Sequence, residues 1–149
     1  MRVLALDLGA RRIGVAISDA DRRVATPLLV LERHQDRSRL HREIAEMVAE
    51  WDAGLVLLGL PIDLRGDVGP AAAGALAERD ELAAVVGVPV EVHDERLTTR
   101  IADRALRERG DLDGPARRQV VDMVAAAVIL QDWLDRGYTG GMPAEEGAP

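Results

Sequence analysis

The sequence predicts one α/β domain built on a five-stranded mixed sheet, and three observations carry that expectation. Three short apolar runs come first, at 3–8, 13–17 and 24–31, separated only by turn residues, which is the pattern of antiparallel strands. Two further apolar runs, at 55–60 and 88–93, alternate with helical periodicities, which is the pattern of parallel crossovers. The 149 residues suffice for a single core and show neither an internal repeat nor a linker.

The first element is a continuous apolar run from Val3 to Leu8 with one interruption, Asp7, as expected of a strand covered on both faces. Ile13 to Ile17 repeats it after the turn at Gly9 to Arg12, and Val24 to Leu31 forms a third run broken at Thr26-Pro27. Leu40, Ile44, Met47, Val48 and Trp51 fall at helical spacing with Arg and Glu between them. His34 and His41, near the start of that helix, read as surface residues. Leu55 to Leu60 is a buried strand by length and composition. "GLPIDLRGDVGP", residues 59–70, is too rich in Gly and Pro for strand or helix; Gly59, Pro61, Gly66 and Gly69 make it a loop over substrate or a long connection. Pro70 suits the first turn of an Ala-rich helix running to about Val86 and ended by Gly87. Val88 to His93 is the fifth strand; helices follow from about Thr98 to Arg109 and from about Ala116 to Arg136. The domain is expected to span 1–138, with 139–149 a disordered tail.

Composition narrows the function. No run reaches the roughly 18 uncharged apolar residues of a membrane span, and no secretory signal is visible. The chain has no cysteine, which excludes disulfides and thiolate metal sites and fits a reducing cytoplasm. All 19 basic side chains are Arg, and Lys, Asn, Phe and Cys are absent, so GC-rich coding explains much of the Arg content. A net charge of −7 argues against a general nucleic-acid coat, and two Trp and one Tyr cannot make base stacking the main mode of binding. A nucleic-acid contact must therefore be local.

Carboxylates at three places in the chain sit at anomalous positions. Asp7 interrupts the first strand. Asp122 is the single charge in "VVDMVAAAVIL", residues 120–130, a helix apolar enough to be largely buried. Counting by threes and fours sets Asp122 on a face with Arg118, Ala125, Ala126 and Ile129; a salt bridge to Arg118 is the bland reading, and a metal or catalytic role is the sharper one. Asp94 and Glu95 end the fifth strand, where open α/β sheets place ligands, although capping of the next helix with Thr98 is the plainer account. Carboxylates without Cys or zinc-spaced His call for a hard cation, Mg²⁺ or Mn²⁺. Two such ions about 3.5–4 Å apart would activate water and stabilise the leaving oxygen in phosphodiester cleavage.

The segments "DLGARRIGVAISD", "VLLGLPIDLRGDVGP", "VPVEVHDERLTT" and "VVDMVAAAVILQ" together resemble the YqgF/RuvX family, the Holliday-junction-resolvase-like branch of the RNase H-like nucleases. The resemblance runs from Val3 to about Tyr138. It implies an RNase H-like fold with the first three strands antiparallel and the later ones parallel to the first. It also implies a catalytic, metal-binding trio at Asp7, Glu95 and Asp122, choosing Glu95 over Asp94 where the residues alone do not. The turn reads Gly-Ala-Arg-Arg where relatives often have Gly-Thr-Lys-Arg, Arg117 and Arg118 stand where Lys is common, and Asp63 and Arg65 depart from the usual glycine loop. These departures bear on fine specificity more than on catalysis.

Arg11 and Arg12 in the first turn, Arg118, and a helical stripe of Arg96, Arg100, Arg104 and Arg107 are candidates to hold a phosphate backbone. The stripe also fits a solvated face paired with Asp103 and Glu108. The leading expectation is a metal-dependent nuclease that matures the 5′ end of pre-16S ribosomal RNA. The alternative from the same resemblance is resolution of Holliday junctions, which needs two active sites and so would favour a homodimer. An actin-like ATP-binding domain requires a second such domain, and a binding module that lost catalysis would not need all three acids.

Overall fold

Seven residues of uninterrupted extended chain, Arg2–Leu8, form β1 at the centre of the sheet. The computed structural model describes residues 1–9, 11–33, 36–60, 69–94, 114–139 and 142–143. After β1 come β2 (Arg12–Ser18), β3 (Ala25–Glu32), α1 (Arg37–Glu50), β4 (Ala53–Leu60), α2 (Pro70–Val86), β5 (Val90–Asp94) and α3 (Gly114–Asp135). The strand order is β3-β2-β1-β4-β5. β1–β2 and β2–β3 pair antiparallel, and β1–β4 and β4–β5 pair parallel. The expected mixed sheet is therefore the observed one.

Alternation along the strands divides the interior in two. Leu4, Leu6, Ile13, Val15, Val56 and Leu58 face α1 and α2, where they meet Leu40, Ile44 and Leu82. Val3, Ala5, Ala16, Leu55 and Leu57 face α3, where they meet Ala126, Ile129, Leu130 and Trp133. Each fully buried aliphatic side chain contributes about 1.5–3 kcal/mol, so this two-sided burial explains why β1 and β4 read as unbroken apolar runs. β3 is an edge strand, and it carries Pro27 where Ala16 lies opposite, with the register shifting between Val15 and Ala16. An edge tolerates a residue that cannot donate to the ladder.

Several boundaries differ from the expectation. Gly59 belongs to β4 rather than to a loop: it pairs with His93, and the next residue, Leu60, is buried against Ala72 and Ala75. Gly69 is the N-cap of α2 and Pro70 its first residue. Pro61 and Gly66 lie outside the described residues, as does the helix expected over 98–109. Within the segment expected to be a disordered tail, Met142–Pro143 pairs antiparallel with Tyr138–Thr139 in a small separate ribbon. His41 is the clearest correction. It is 2% exposed rather than superficial, because it sits between Leu40 and Ile44 on the core-facing stripe of α1. His34 is outside the described residues. No helix of the described residues is long and apolar enough to cross a membrane.

Candidate active site

The face of the sheet that meets α3 carries Asp7. Alternation from Val3 and Ala5 sets Asp7 on that face, near the C-terminal end of β1, and its cross-strand partner is Gly14. Directly opposed residues of an antiparallel pair project to the same side of the sheet. A Cβ at Gly14 would overlap the backbone carbonyl of Asp122, so α3 lies against β2 at this point with no room for a side chain between them. The missing methyl at Gly14 is thus what lets Asp122 come down beside Asp7. The small residues after it serve the same approach: Ala126 is fully buried against the sheet, and Ile129 and Leu130 continue the contact.

Asp122 has a partner on a different element. Its Oδ2 accepts a hydrogen bond from Arg12 Nε at 2.7 Å. Arg12 starts β2 two residues before Gly14, hence on the same face, and its side chain and that of Asp122 are 24% and 21% exposed. The preceding turn is tight. Gly9 N–H donates to the Arg12 carbonyl at 2.9 Å, and a Cβ at Gly9 would come within 2.5 Å of that oxygen. Arg11, in the same turn, is exposed.

β5 supplies the third strand of the site. Its His93 shares the face of Leu57 and α3, and His93 Nε2 lies 2.6 Å from Asp132 Oδ2, which also accepts from Arg136 Nε at 2.8 Å. Asp94 pairs in register with Leu60 and takes the opposite face, that of α2. Glu95 follows it outside the described residues, as do Arg96, Arg100 and Arg104; the side chain of Arg118 is also outside them. Among the described residues, no group of three His, Cys, Asp or Glu side chains is placed to hold a metal. Gly14 thus links two of the three expected acids, Asp7 as its cross-strand partner and Asp122 through the backbone that lies against it, whereas Asp94 takes the opposite face.

The sequence reading missed Glu78. It lies between Ala75 and Leu82 in the buried stripe of α2 and is 2% exposed. A carboxylate inside an apolar helical stripe is the same signal that singled out Asp122. The alanines on either side of α2 blurred it, because they read equally well as core or surface.

A family model described as "RuvX: Holliday junction resolvase" matches residues 1–136. The chain belongs to the RuvX family. Its RuvX relatives include a "Putative pre-16S rRNA nuclease" from Chloroflexus aggregans, 47% identical over 133 residues, which are 89% of this chain and 92% of that one. A protein of the same name from Anaeromyxobacter sp. is 47% identical over 135 residues, 91% of this chain and 97% of that one. Among solved structures, "T. thermophilus RuvC in complex with Holliday junction substrate" is similar at a TM-score of 0.59 and 19% identity, covering 95% of this chain and 99% of that one. That likeness bears out the RNase H-like fold expected of a RuvX chain.

Proposed function

We propose that this RuvX-family chain is a metal-dependent nuclease that hydrolyses phosphodiester bonds in structured nucleic acid, with the 5′ end of pre-16S ribosomal RNA as its substrate. The observation that carries the reading is the seating of α3 on Gly14, which sets Asp122 beside Asp7 at the carboxyl end of the central strand. The names of its RuvX relatives supply the ribosomal substrate. The proposed setting is the cytoplasm, which suits a chain without cysteine.

The donor set fits a hard divalent cation: oxygen ligands only, two of them on one face, with no thiolate in the chain. Asp7 and Asp122 would hold the metal, Mg²⁺ or Mn²⁺, with Glu95 as the third ligand and room for two ions. Asp94 is the weaker choice, since the register of β5 gives it the face of Leu60. The bound cation would supply an activated water and charge stabilisation at the leaving oxygen. Arg12 orients the Asp122 carboxylate, and the exposed Arg11 offers a phosphate contact beside it. Arg96, Arg100, Arg104 and Arg118 are proposed to extend that contact along the backbone. Local basic groups are what a chain of net charge −7 needs to hold a polyanion.

Resolution of four-way DNA junctions is the second reading, favoured by the description of the matching family model. It would require a two-fold dimer to present two sites. End-labelled rRNA precursor and a labelled four-way junction, each incubated with the protein and Mg²⁺ or Mn²⁺, test both readings, with Asp122→Asn as control. Site-specific cleavage of the precursor that the control lacks is the expected result. Symmetric nicking of the junction alone would give the second reading, and no cleavage of either would remove the nuclease assignment.

A further inference from the structure

On the other face of the sheet, ionisable side chains converge in a chain of bonds that ends on the turn following Asp7. Glu78 of α2 accepts from both terminal nitrogens of Arg33, Nη2 to Oε1 at 2.9 Å and Nη1 to Oε2 at 3.2 Å. Its Oε2 also lies 2.8 Å from Nε2 of the buried His41, and Arg37 Nη2 approaches Oε1 at 3.8 Å. The third guanidinium nitrogen of Arg33, Nε, donates to the carbonyl of Gly9 at 2.6 Å. The backbone N–H of Arg33 donates to the carbonyl of Arg11 at 2.9 Å. One residue thus grips the turn between β1 and β2 at two carbonyls, while a buried carboxylate fixes its planar fork.

Such a cluster is a poor means of stabilising a core. Desolvating a carboxylate and a guanidinium offsets most of their attraction, and apolar residues of equal volume commonly do as well. What the cluster adds is geometry. A bidentate fork leaves Arg33 one orientation, and that orientation directs Nε at Gly9, two residues after Asp7 and three before Arg12. We propose that Arg33 is a positioning residue for the nuclease site, held by Glu78 and His41, and that its grip on the Gly9 carbonyl fixes the turn that places Asp7 and Arg12. The proposal rests on the nuclease reading above.

The experiment compares the parent with Arg33→Ala, Arg33→Lys and Glu78→Gln. Mn²⁺ binding is measured without nucleic acid by electron paramagnetic resonance, kcat and KM are measured on the cleaved substrate, and thermal melts are recorded beside them. Displacing a metal ligand through its support is expected to weaken Mn²⁺ binding about 10-fold in Arg33→Ala. A misplacement of this kind is expected to lower kcat about 100-fold while KM stays near the parent value. Lys keeps the charge but cannot reach two carboxylate oxygens and the Gly9 carbonyl together. Arg33→Lys should therefore recover much of the melting temperature and little of the Mn²⁺ affinity or kcat. If folded Arg33→Lys and Glu78→Gln bind Mn²⁺ and turn over like the parent, the cluster is purely structural and the proposal is overturned. A parent that shows no metal-dependent cleavage overturns the nuclease reading itself, and the positioning role with it.

Discussion

Asp122 stands on an apolar helix, and Arg12 reaches it from a different element. Both side chains are about a quarter exposed, and ion pairs of that kind contribute about 1 kcal/mol or less. Asp122→Asn is therefore expected to abolish cleavage while the melting temperature in EDTA stays within roughly 4 °C of the parent, the shift that 1 kcal/mol produces in a chain of this size. A nuclease assay beside the melts checks both halves, and retained cleavage would remove Asp122 from the site. The neighbouring acids separate by face. Asp94 shares the side of Leu60, so Asp94→Asn is expected to retain measurable single-turnover cleavage and Glu95→Gln to lose it. The opposite ranking would make Asp94 the ligand.

The contact between β2 and α3 depends on the bare backbone of Gly14. A methyl group there would overlap a main-chain carbonyl, which has no rotamer by which to move away. Overpacking typically costs about 1–3 kcal/mol, and here α3 must shift as a unit. Gly14→Ala is expected to lower the unfolding free energy measured in urea by that amount. It should also reduce cleavage far more than the stability loss accounts for, since Asp122 moves with the helix. Cleavage that falls only in proportion to the folded fraction would show that the helix seat does not position the carboxylate.

Across the whole molecule, the Glu78 cluster joins α1, α2 and the β1–β2 turn, and it makes stability depend on pH. Burial by itself would raise the Glu78 carboxyl. Hydrogen bonds from Arg33 and His41 and the charges of Arg33 and Arg37 outweigh it and hold the group below its ordinary value. A carboxyl that is depressed on folding stabilises the protein fully above its unfolded pKa, and that stabilisation is lost as pH falls through the lowered folded value. Urea midpoints measured from about pH 7 to about pH 3 should therefore fall on the acid side in the parent. Glu78→Gln should start lower at neutral pH and decline less, and parallel curves would show that Glu78 does not carry the dependence. Metal removal acts on the same scale: full cleavage in excess EDTA would eliminate the divalent-cation mechanism, and its loss with recovery in Mn²⁺ is the expected result.

The sequence by itself determined the order of elements, the sheet's mixed character and the identity of Asp7 and Asp122 as misplaced charges. Period-two and helical repeats of apolar residues are local, and a carboxylate within them is visible without knowing what it touches. Partners were decided only by tertiary structure, because they come from distant segments: Arg12 for Asp122, and Arg33 and His41 for Glu78. The same holds for Gly14, whose meaning in sequence is a turn or a close approach of unspecified kind, and whose contact proved to be a helix 108 positions on. His41 read as superficial because a lone histidine near a helix start has no pattern of its own. Its burial follows from which side of α1 meets the sheet, and from a carboxylate on α2 that accepts its hydrogen bond. Spacing along a chain reports which face a residue shares, whereas hydrogen bonding across elements depends on how those faces are brought together in space.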